Sequence, residues 1–196
     1  KRLAKGQDGK IRYCWEHKRW LVWDGNRWEF DGGGEVELLA KATVRGMYDA
    51  AWQSQKEDIK LRNVQWSLQS QSAGRIDSMI KLARSEPGVG IEASLLDANS
   101  MLLGVSNGVI DLRTGVLRKA ERGYYITKQA GVAYKRYAKC QKWDEFLLQI
   151  CGGDTETVDF LQRLFGYCLT GLTKEQVFPI FWGKGAGAET SATGEV

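Results

Sequence analysis

The spacing of apolar residues changes along this chain, and that change restricts the fold more than any other feature. Between residues 11 and 31, tryptophans recur among polar residues as in a strand with one buried face, and Asp24–Asn26 is a tight-turn signal. From Glu35 to about Glu86, apolar residues recur at steps of three and four, which is typical of amphipathic helices. The pattern predicts an α+β fold with a small aromatic β-hairpin at about 11–31 and a helical segment at about 35–86.

A second β region follows the helices. Two apolar runs flank Asn107-Gly108, the dipeptide best able to adopt the positive φ angles of a type I′ hairpin turn. Thr114-Gly115 marks another turn before a third run at 116–118. These residues predict a β-meander within about 101–134.

The last third of the chain returns to helical spacing. Apolar residues predict a helical pair over about 143–171, interrupted by Gly152-Gly153, with Asp154 or Thr155 as the cap of the second helix. The apolar run within 175–182 predicts a buried strand. Pro179 argues against that strand, since proline cannot donate a hydrogen bond to a neighbouring strand.

Four tryptophans lie near the N-terminus: Trp15, Trp20, Trp23 and Trp28. Their role has two interpretations. Exposed indoles on a sheet can form a platform on which bases stack. Buried indoles can instead form the core of a small sheet that has few other large apolar residues. The second interpretation is favoured.

Composition excludes some classes of protein. The chain has 196 residues, 43% of them hydrophobic and 27% charged, which are ordinary values for globular proteins. Its net charge of +4 permits a nucleic-acid partner without requiring one. No apolar stretch approaches the ~20 residues that span a membrane, and no signal peptide is recognisable, so we expect no membrane partner and a cytoplasmic location. Because the chain does not begin with Met, we expect it to be a piece of a longer protein.

The cysteines do not predict a metal site. Cys14, Cys140, Cys151 and Cys168 are far apart, and His17 is the single histidine, whereas zinc sites need paired ligands at short spacing. Cys151 and Cys168 are interpreted as small core residues of helices in a reducing cytosol.

Residues 135–143 combine cations with aromatic side chains. The candidate DNA-binding residues are Lys135, Arg136, Lys139 and Lys142, and Tyr137 and Trp143 lie among them. Such a stretch suits a phosphate backbone with occasional base stacking. A solvated loop that enters a helix is the other interpretation, and both stay open.

The chain ends in a glycine-rich stretch that fits a phosphate-binding loop only in part. If the Walker A pattern G-x-x-x-x-G-K-[ST] starts at Gly183, Ala188 replaces its last glycine, Glu189 replaces its lysine, and Thr190 keeps the hydroxyl. The candidate nucleotide-binding residues of this degenerate loop are Gly183, Lys184, Gly185, Ala186, Gly187, Ala188, Glu189 and Thr190.

Several blocks together resemble a known family. "KRWLVWDGNRW", "NGVIDLRTG", "FLQRLFGYCLTG" and "FPIFWGKGA" occur here in the order found in the phage/plasmid primase family, the primase–helicases related to the poxvirus primase–helicase. The resemblance covers nearly the whole chain.

The resemblance implies a division of the chain and a set of partners. Residues 1–174 would be the pre-helicase region, and 175–196 would be the first strand and degenerate Walker A loop of an incomplete superfamily 3 helicase domain. The parent protein would use ATP and Mg²⁺, with Thr190 as a Mg²⁺ ligand in an intact relative, and would unwind single-stranded or forked DNA as a homo-oligomeric ring. It would be phage- or plasmid-encoded and work in a bacterial host.

Glu189 argues against nucleotide binding by this chain. A unit charge pair about 4 Å apart is worth roughly 4 kcal/mol at an effective dielectric near 20, so a glutamate in place of the lysine turns attraction into repulsion. We therefore expect no ATP hydrolysis, no bound cofactor and no catalytic residue here. DNA contact or ring assembly is the expected contribution, and a Trp-rich interaction module or a degenerate prophage remnant is the alternative.

Overall fold

The fold is known from a computed structural model, which describes residues 2–6, 9–53 and 57–182. Within these ranges there are six helices, at Arg2–Gly6 (α1), Glu35–Trp52 (α2), Glu57–Ser70 (α3), Ala73–Ala83 (α4), Gln141–Ile150 (α5) and Thr155–Cys168 (α6). The strands lie at Ile11–Cys14 (β1), Arg19–Trp23 (β2), Trp28–Phe30 (β3), Gly90–Ile91 (β4), Leu102–Val105 (β5), Gly108–Asp111 (β6), Val116–Arg118 (β7) and Gln129–Ala130 (β8). No helix in the described ranges is long and apolar enough to cross a membrane.

The strands form two mixed four-stranded sheets with the same strand order. In the first sheet the order is β3-β2-β1-β4, and in the second sheet it is β7-β6-β5-β8. Each sheet is an antiparallel meander to which a two-residue strand is added, parallel to the first strand. The α+β class is confirmed. The prediction of an N-terminal hairpin falls short of the observed structure. This region forms three strands, and residues 90–91 add a fourth.

The helical segment covers one face of the first sheet. Because side chains alternate across a strand, Ile11 and Tyr13 of β1 point to the same face and meet the helices there. The helix residues buried in this core are Leu3 of α1, Val36 and Ala40 of α2, and Ile76 and Ala83 of α4, and Met79 and Ile80 pack against them. The apolar spacing of three and four predicted for residues 35–86 is therefore confirmed in α4.

The opposite face of the first sheet packs towards the second sheet. Its core contains Cys14, Leu21, Trp28 and Ile91. The backbone N–H of Trp28 donates to the carbonyl of Ile126 at 2.8 Å, and its indole Nε1 donates to the carbonyl of Arg122 at 2.9 Å. Trp28 thus joins the first sheet to the chain that follows β7.

The tryptophans of this region serve mainly as core. Trp20 and Trp28 are only 8% and 1% exposed, and Trp23 is half-buried, so the core interpretation is confirmed for these residues. Trp15 differs, since it is 53% exposed and meets the ring of Tyr13 edge-on at 4.9 Å between centroids.

The predicted β-meander is confirmed, but its first turn differs from the expected one. Val105 pairs with Gly108, so Ser106 and Asn107 form the turn, and neither has a positive φ. Gly108 instead begins β6 with φ 146°, where a Cβ would lie 2.3 Å from the carbonyl oxygen of Arg118. The type I′ prediction is therefore wrong: the glycine is required by the close approach of β7 rather than by the turn.

The predicted helical pair is confirmed, with α5 and α6 separated by Gly152 and Gly153 at positive φ. The Asp154 carboxylate caps α6 by accepting from the N–H of Glu156 at 3.0 Å. Two helices that share one interface bury little, and in this pair only Leu147 and Leu161 are buried. The core assignment of two cysteines is wrong for that reason, since Cys151 is half-buried and Cys168 is exposed.

The strand predicted within 175–182 does not form in the described structure. Phe178, Ile180 and Trp182 are 79–86% exposed, and no other described strand pairs with this run. A strand needs a neighbour for its backbone hydrogen bonds, so the apolar run alone does not make one. The loop residues 183–190 lie outside the described residues, and the domain boundary at 174 stays a prediction.

Candidate nucleic-acid interface

Positive charge is concentrated in one part of the chain. Residues 112–142 contain one acidic residue, Glu121, and nine basic residues: Arg113, Arg118, Lys119, Arg122, Lys128, Lys135, Arg136, Lys139 and Lys142. That leaves 19 cations and 23 acids for all other residues, so 112–142 carries +8 and the rest carries −4. The net charge of the whole chain hides this segregation, although a count over a window of about 30 residues would have found it.

A short strap, residues 131–134, ties the basic stretch to the second sheet. The N–H of Ser106 donates to the carbonyl of Val132 at 3.1 Å. The Asn107 side chain binds the backbone of Tyr134 twice, donating to its carbonyl at 3.0 Å and accepting from its N–H at 2.9 Å. The side-chain amide of Asn107 thus pairs with the strap as a neighbouring strand would.

Tyr134 also joins the strap to the β6–β7 turn. Its hydroxyl donates to the carbonyl of Gly115 at 3.1 Å. Arg113, which is exposed, lies in that same turn, two residues before Gly115. Lys135 directly follows Tyr134, so the predicted basic residues begin beside a turn that carries a further cation.

The four predicted DNA-binding residues are all exposed. Lys135 and Arg136 belong to a β-turn closed by a hydrogen bond from the N–H of Ala138 to the carbonyl of Lys135 at 3.1 Å. Lys139 lies between this turn and α5, and Lys142 is the second residue of α5. Within the described part of the chain none of the four forms an ion pair, whereas Arg118 is paired with Asp111 at 2.9 Å. The structure therefore gathers the four cations along one solvated segment, which we call the basic segment (residues 135–142).

The two aromatic residues of this region have different surroundings. Tyr137 is 85% exposed at the turn, with the guanidinium carbon of Arg136 5.7 Å from its ring centroid. Trp143 packs against Phe146 and Phe165, with centroids 5.8 and 6.2 Å away. The ring of Tyr137 is thus open to a ligand, while the indole of Trp143 helps to hold α5 on α6.

The positive end of α5 adds to the field of the basic segment. The helix begins at Gln141, and the residue before it, Cys140, provides no side-chain hydrogen bond to cap it. The first N–H groups of a helix attract anions, because they lack partners within the helix and lie at the positive end of its dipole. Lys142 and Asp144 both lie in the first turn, so their side-chain charges offset each other there.

The described residues contain no cluster that suits a metal ion. No group of three or more His, Cys, Asp or Glu side chains comes together in these ranges, and Cys14, Cys140, Cys151 and Cys168 are free thiols. The predicted nucleotide-binding residues, including Thr190, fall outside the described ranges.

Comparison with known proteins identifies the family. Residues 1–152 match the family described as "D5 N terminal like", and this chain belongs to it. The match supports the resemblance to phage and plasmid primase–helicases over the region that contains both sheets and the basic segment. No curated protein matches the sequence.

Proposed function

We propose that this chain is part of a replicative primase–helicase and that its basic segment binds the phosphate backbone of single-stranded or forked DNA. The observation that carries the proposal is the row of four exposed, unpaired cations in the described structure, Lys135, Arg136, Lys139 and Lys142, on a segment whose start is fixed by Asn107 and Tyr134.

Physical arguments support this function over that of a solvated loop. The four exposed cations of the basic segment offer charges from which phosphates displace counterions, and that displacement is the main source of non-specific affinity for DNA. The turn directs Arg136 outward, and the uncapped start of α5 offers N–H groups to the same ligand.

Fluorescence anisotropy with labelled single-stranded and forked DNA at several salt concentrations tests the proposal. We expect salt-dependent binding, and we expect Lys135/Arg136/Lys139/Lys142→Ala to weaken it at least tenfold. Each lost phosphate contact on a single strand should also flatten the log–log salt dependence by about 0.7.

The matched control removes four exposed cations outside 112–142, by Arg45/Arg62/Lys81/Lys174→Ala. This variant has the same net charge as the test variant, so it should keep most of the affinity. Equal losses in both variants, or binding that does not respond to salt, would contradict DNA recognition by the basic segment. The alternative of a Trp-rich protein-interaction module would then be the better account.

We further propose that the parent protein unwinds DNA with ATP and Mg²⁺ as a homo-oligomeric ring, while this chain itself binds no nucleotide. The chain is proposed to bind no nucleotide because Glu189 replaces the lysine of the Walker A pattern. A thermal melt with and without ATP–Mg²⁺ should show no rise in melting temperature beyond that caused by Mg²⁺ alone, since a ligand that binds the folded state raises it. A nucleotide-dependent rise would contradict the charge argument. Sedimentation of the parent protein would test the ring.

A further inference from the structure

Tyr137 is an exception among the tyrosines of this chain. The other six, at 13, 48, 124, 125, 134 and 167, are all buried or half-buried, whereas Tyr137 is 85% exposed. Tyr125, for example, stacks on Trp28, and Tyr134 uses its hydroxyl to hold the strap. An aromatic side chain that neither fills a core nor ties two segments together is left with a face available for a ligand.

The turn presents this ring among the cations. Arg136 and Tyr137 occupy the two central positions of the β-turn that Lys135 and Ala138 close. Central residues of a turn project away from the backbone on both sides. A DNA strand that follows the basic segment must therefore pass the ring of Tyr137.

Duplex and single-stranded DNA differ in what they can offer to such a ring. The faces of paired bases are covered by their neighbours in the stack, so an aromatic side chain reaches them only if the duplex is opened. An unpaired base has a free face, and stacking of bases on aromatic side chains is a main source of affinity for single strands. The guanidinium of Arg136 lies over one face of the ring, 5.7 Å from its centroid, so a base would stack on the other face and its phosphate would find positive charge nearby.

We infer that the basic segment selects single-stranded over double-stranded DNA, and that Tyr137 is the specificity-determining residue because it stacks on an unpaired base. This inference rests on the proposed function and names the substrate class of the same site. Trp143 is not the stacking residue, since its indole packs on Phe146 and Phe165.

The test compares three probes: a thymine single strand of about 15 nucleotides, the same strand with abasic sites, and a blunt duplex. We expect the unmodified protein to bind the thymine strand about tenfold more tightly than the abasic strand, as a stacking contribution of this kind predicts. Tyr137→Ala should lose that tenfold difference, binding both strands alike, and its affinity for duplex should change less than twofold.

Two further variants separate stacking from other causes. Tyr137→Phe keeps the ring and should keep the preference, because stacking needs no hydroxyl. Phe178→Ala removes an aromatic that is 86% exposed outside the basic segment and should change nothing. The far-UV circular dichroism of each variant shows whether it is folded.

The outcomes distinguish this inference from the proposed function. Salt-dependent binding that is equal for thymine and abasic strands, or equally weakened on both by Tyr137→Ala, would overturn the stacking role and leave the phosphate site standing. Loss of all salt-dependent binding to every probe would overturn both.

Discussion

The two sheets share a strand order but differ in what connects and covers them. In both, a three-stranded meander takes a two-residue strand beside its first strand, parallel to it. In the first sheet residues 31–89 lie before that strand, and they include three helices, of which α2 and α4 cover one face. In the second sheet the connection before the added strand is only residues 119–128, and it contains a single turn of 3₁₀-helix.

This difference determines where each sheet can act. The first sheet has a core on both faces and keeps its aromatic side chains largely inside. The second sheet has a thinner cover and an exposed edge strand, β7. The excess positive charge of residues 112–142 lies in and next to this sheet. The same topology therefore serves as scaffold in one case and as a support for the basic segment in the other.

The largest effect is expected from Gly108→Val in the second sheet. The new Cβ would meet the carbonyl oxygen of Arg118 at 2.3 Å, and φ is 146°, so we expect a loss of more than about 3 kcal/mol in the free energy of unfolding. Gly131→Ala is the control, since no atom lies within 4 Å of its added Cβ. Urea unfolding followed by circular dichroism measures both.

The same variant tests whether the sheets fold together. Residues 102–130 contain no tryptophan, so tryptophan fluorescence does not report on the second sheet directly. It reports on the first sheet and on the segments that carry Trp52, Trp66, Trp143 and Trp182. Because Trp28 binds the chain after β7 through two hydrogen bonds, we expect its signal to be lost in the same, shifted transition. An unshifted fluorescence transition would mean that the sheets are independent.

A smaller effect is expected from Asn107→Ala, which removes both hydrogen bonds to the strap. We expect the free energy of unfolding to fall by about 1–2 kcal/mol. DNA binding should weaken too, because the basic segment loses two of the hydrogen bonds that hold its start. The counterpart in the first sheet is Asp24→Ala, which frees the N–H groups of Asn26 and Arg27. Asp24→Ala should lower the free energy of unfolding by about the same amount but leave DNA affinity unchanged. If Asn107→Ala binds DNA normally, the strap does not position the site.

The smallest effect concerns how the first turn of each sheet, β1–β2 and β5–β6, responds to pH. A hydrogen bond from its own backbone N–H, aided by the Cys14 thiol, holds the pKa of Glu16 below its usual range. A lowered pKa in the folded state means that the carboxylate stabilises the fold above its unfolded pKa of about 4.3 and loses this effect as the pH falls through the folded value. The melting-temperature difference between the unmodified protein and Glu16→Gln should therefore be constant near neutral pH and shrink below about pH 4. The difference for the neutral Asn107→Ala should not follow this pattern, and a parallel decline in both would contradict the assignment.

Local structure was predictable where a pattern extends over a whole element. The face of α4 repeats Ile76, Met79, Ile80 and Ala83 at helical spacing, and all four lie in or against the core. The strands β4 and β8 could not be found this way, since two residues carry no period. Each pairs with a strand tens of residues away. The exposure of Cys168 and of residues 177–182 was also missed, because spacing tells which side of an element is apolar and not whether another layer covers it.

For the candidate site, too, some features follow from local sequence and others only from tertiary contacts. The sequence by itself determined the identity of the four cations, the turn signals around the second sheet and the family blocks. Only the tertiary structure decided that Asn107 holds Tyr134, 27 residues away, and that Tyr134 reaches Gly115. It also decided that Tyr137 is 85% exposed, whereas Trp143 is 46% exposed and packs on Phe165. The physical reason is range: a sequence pattern reports on neighbours within a few residues, while these contacts exist only after the chain has closed on itself.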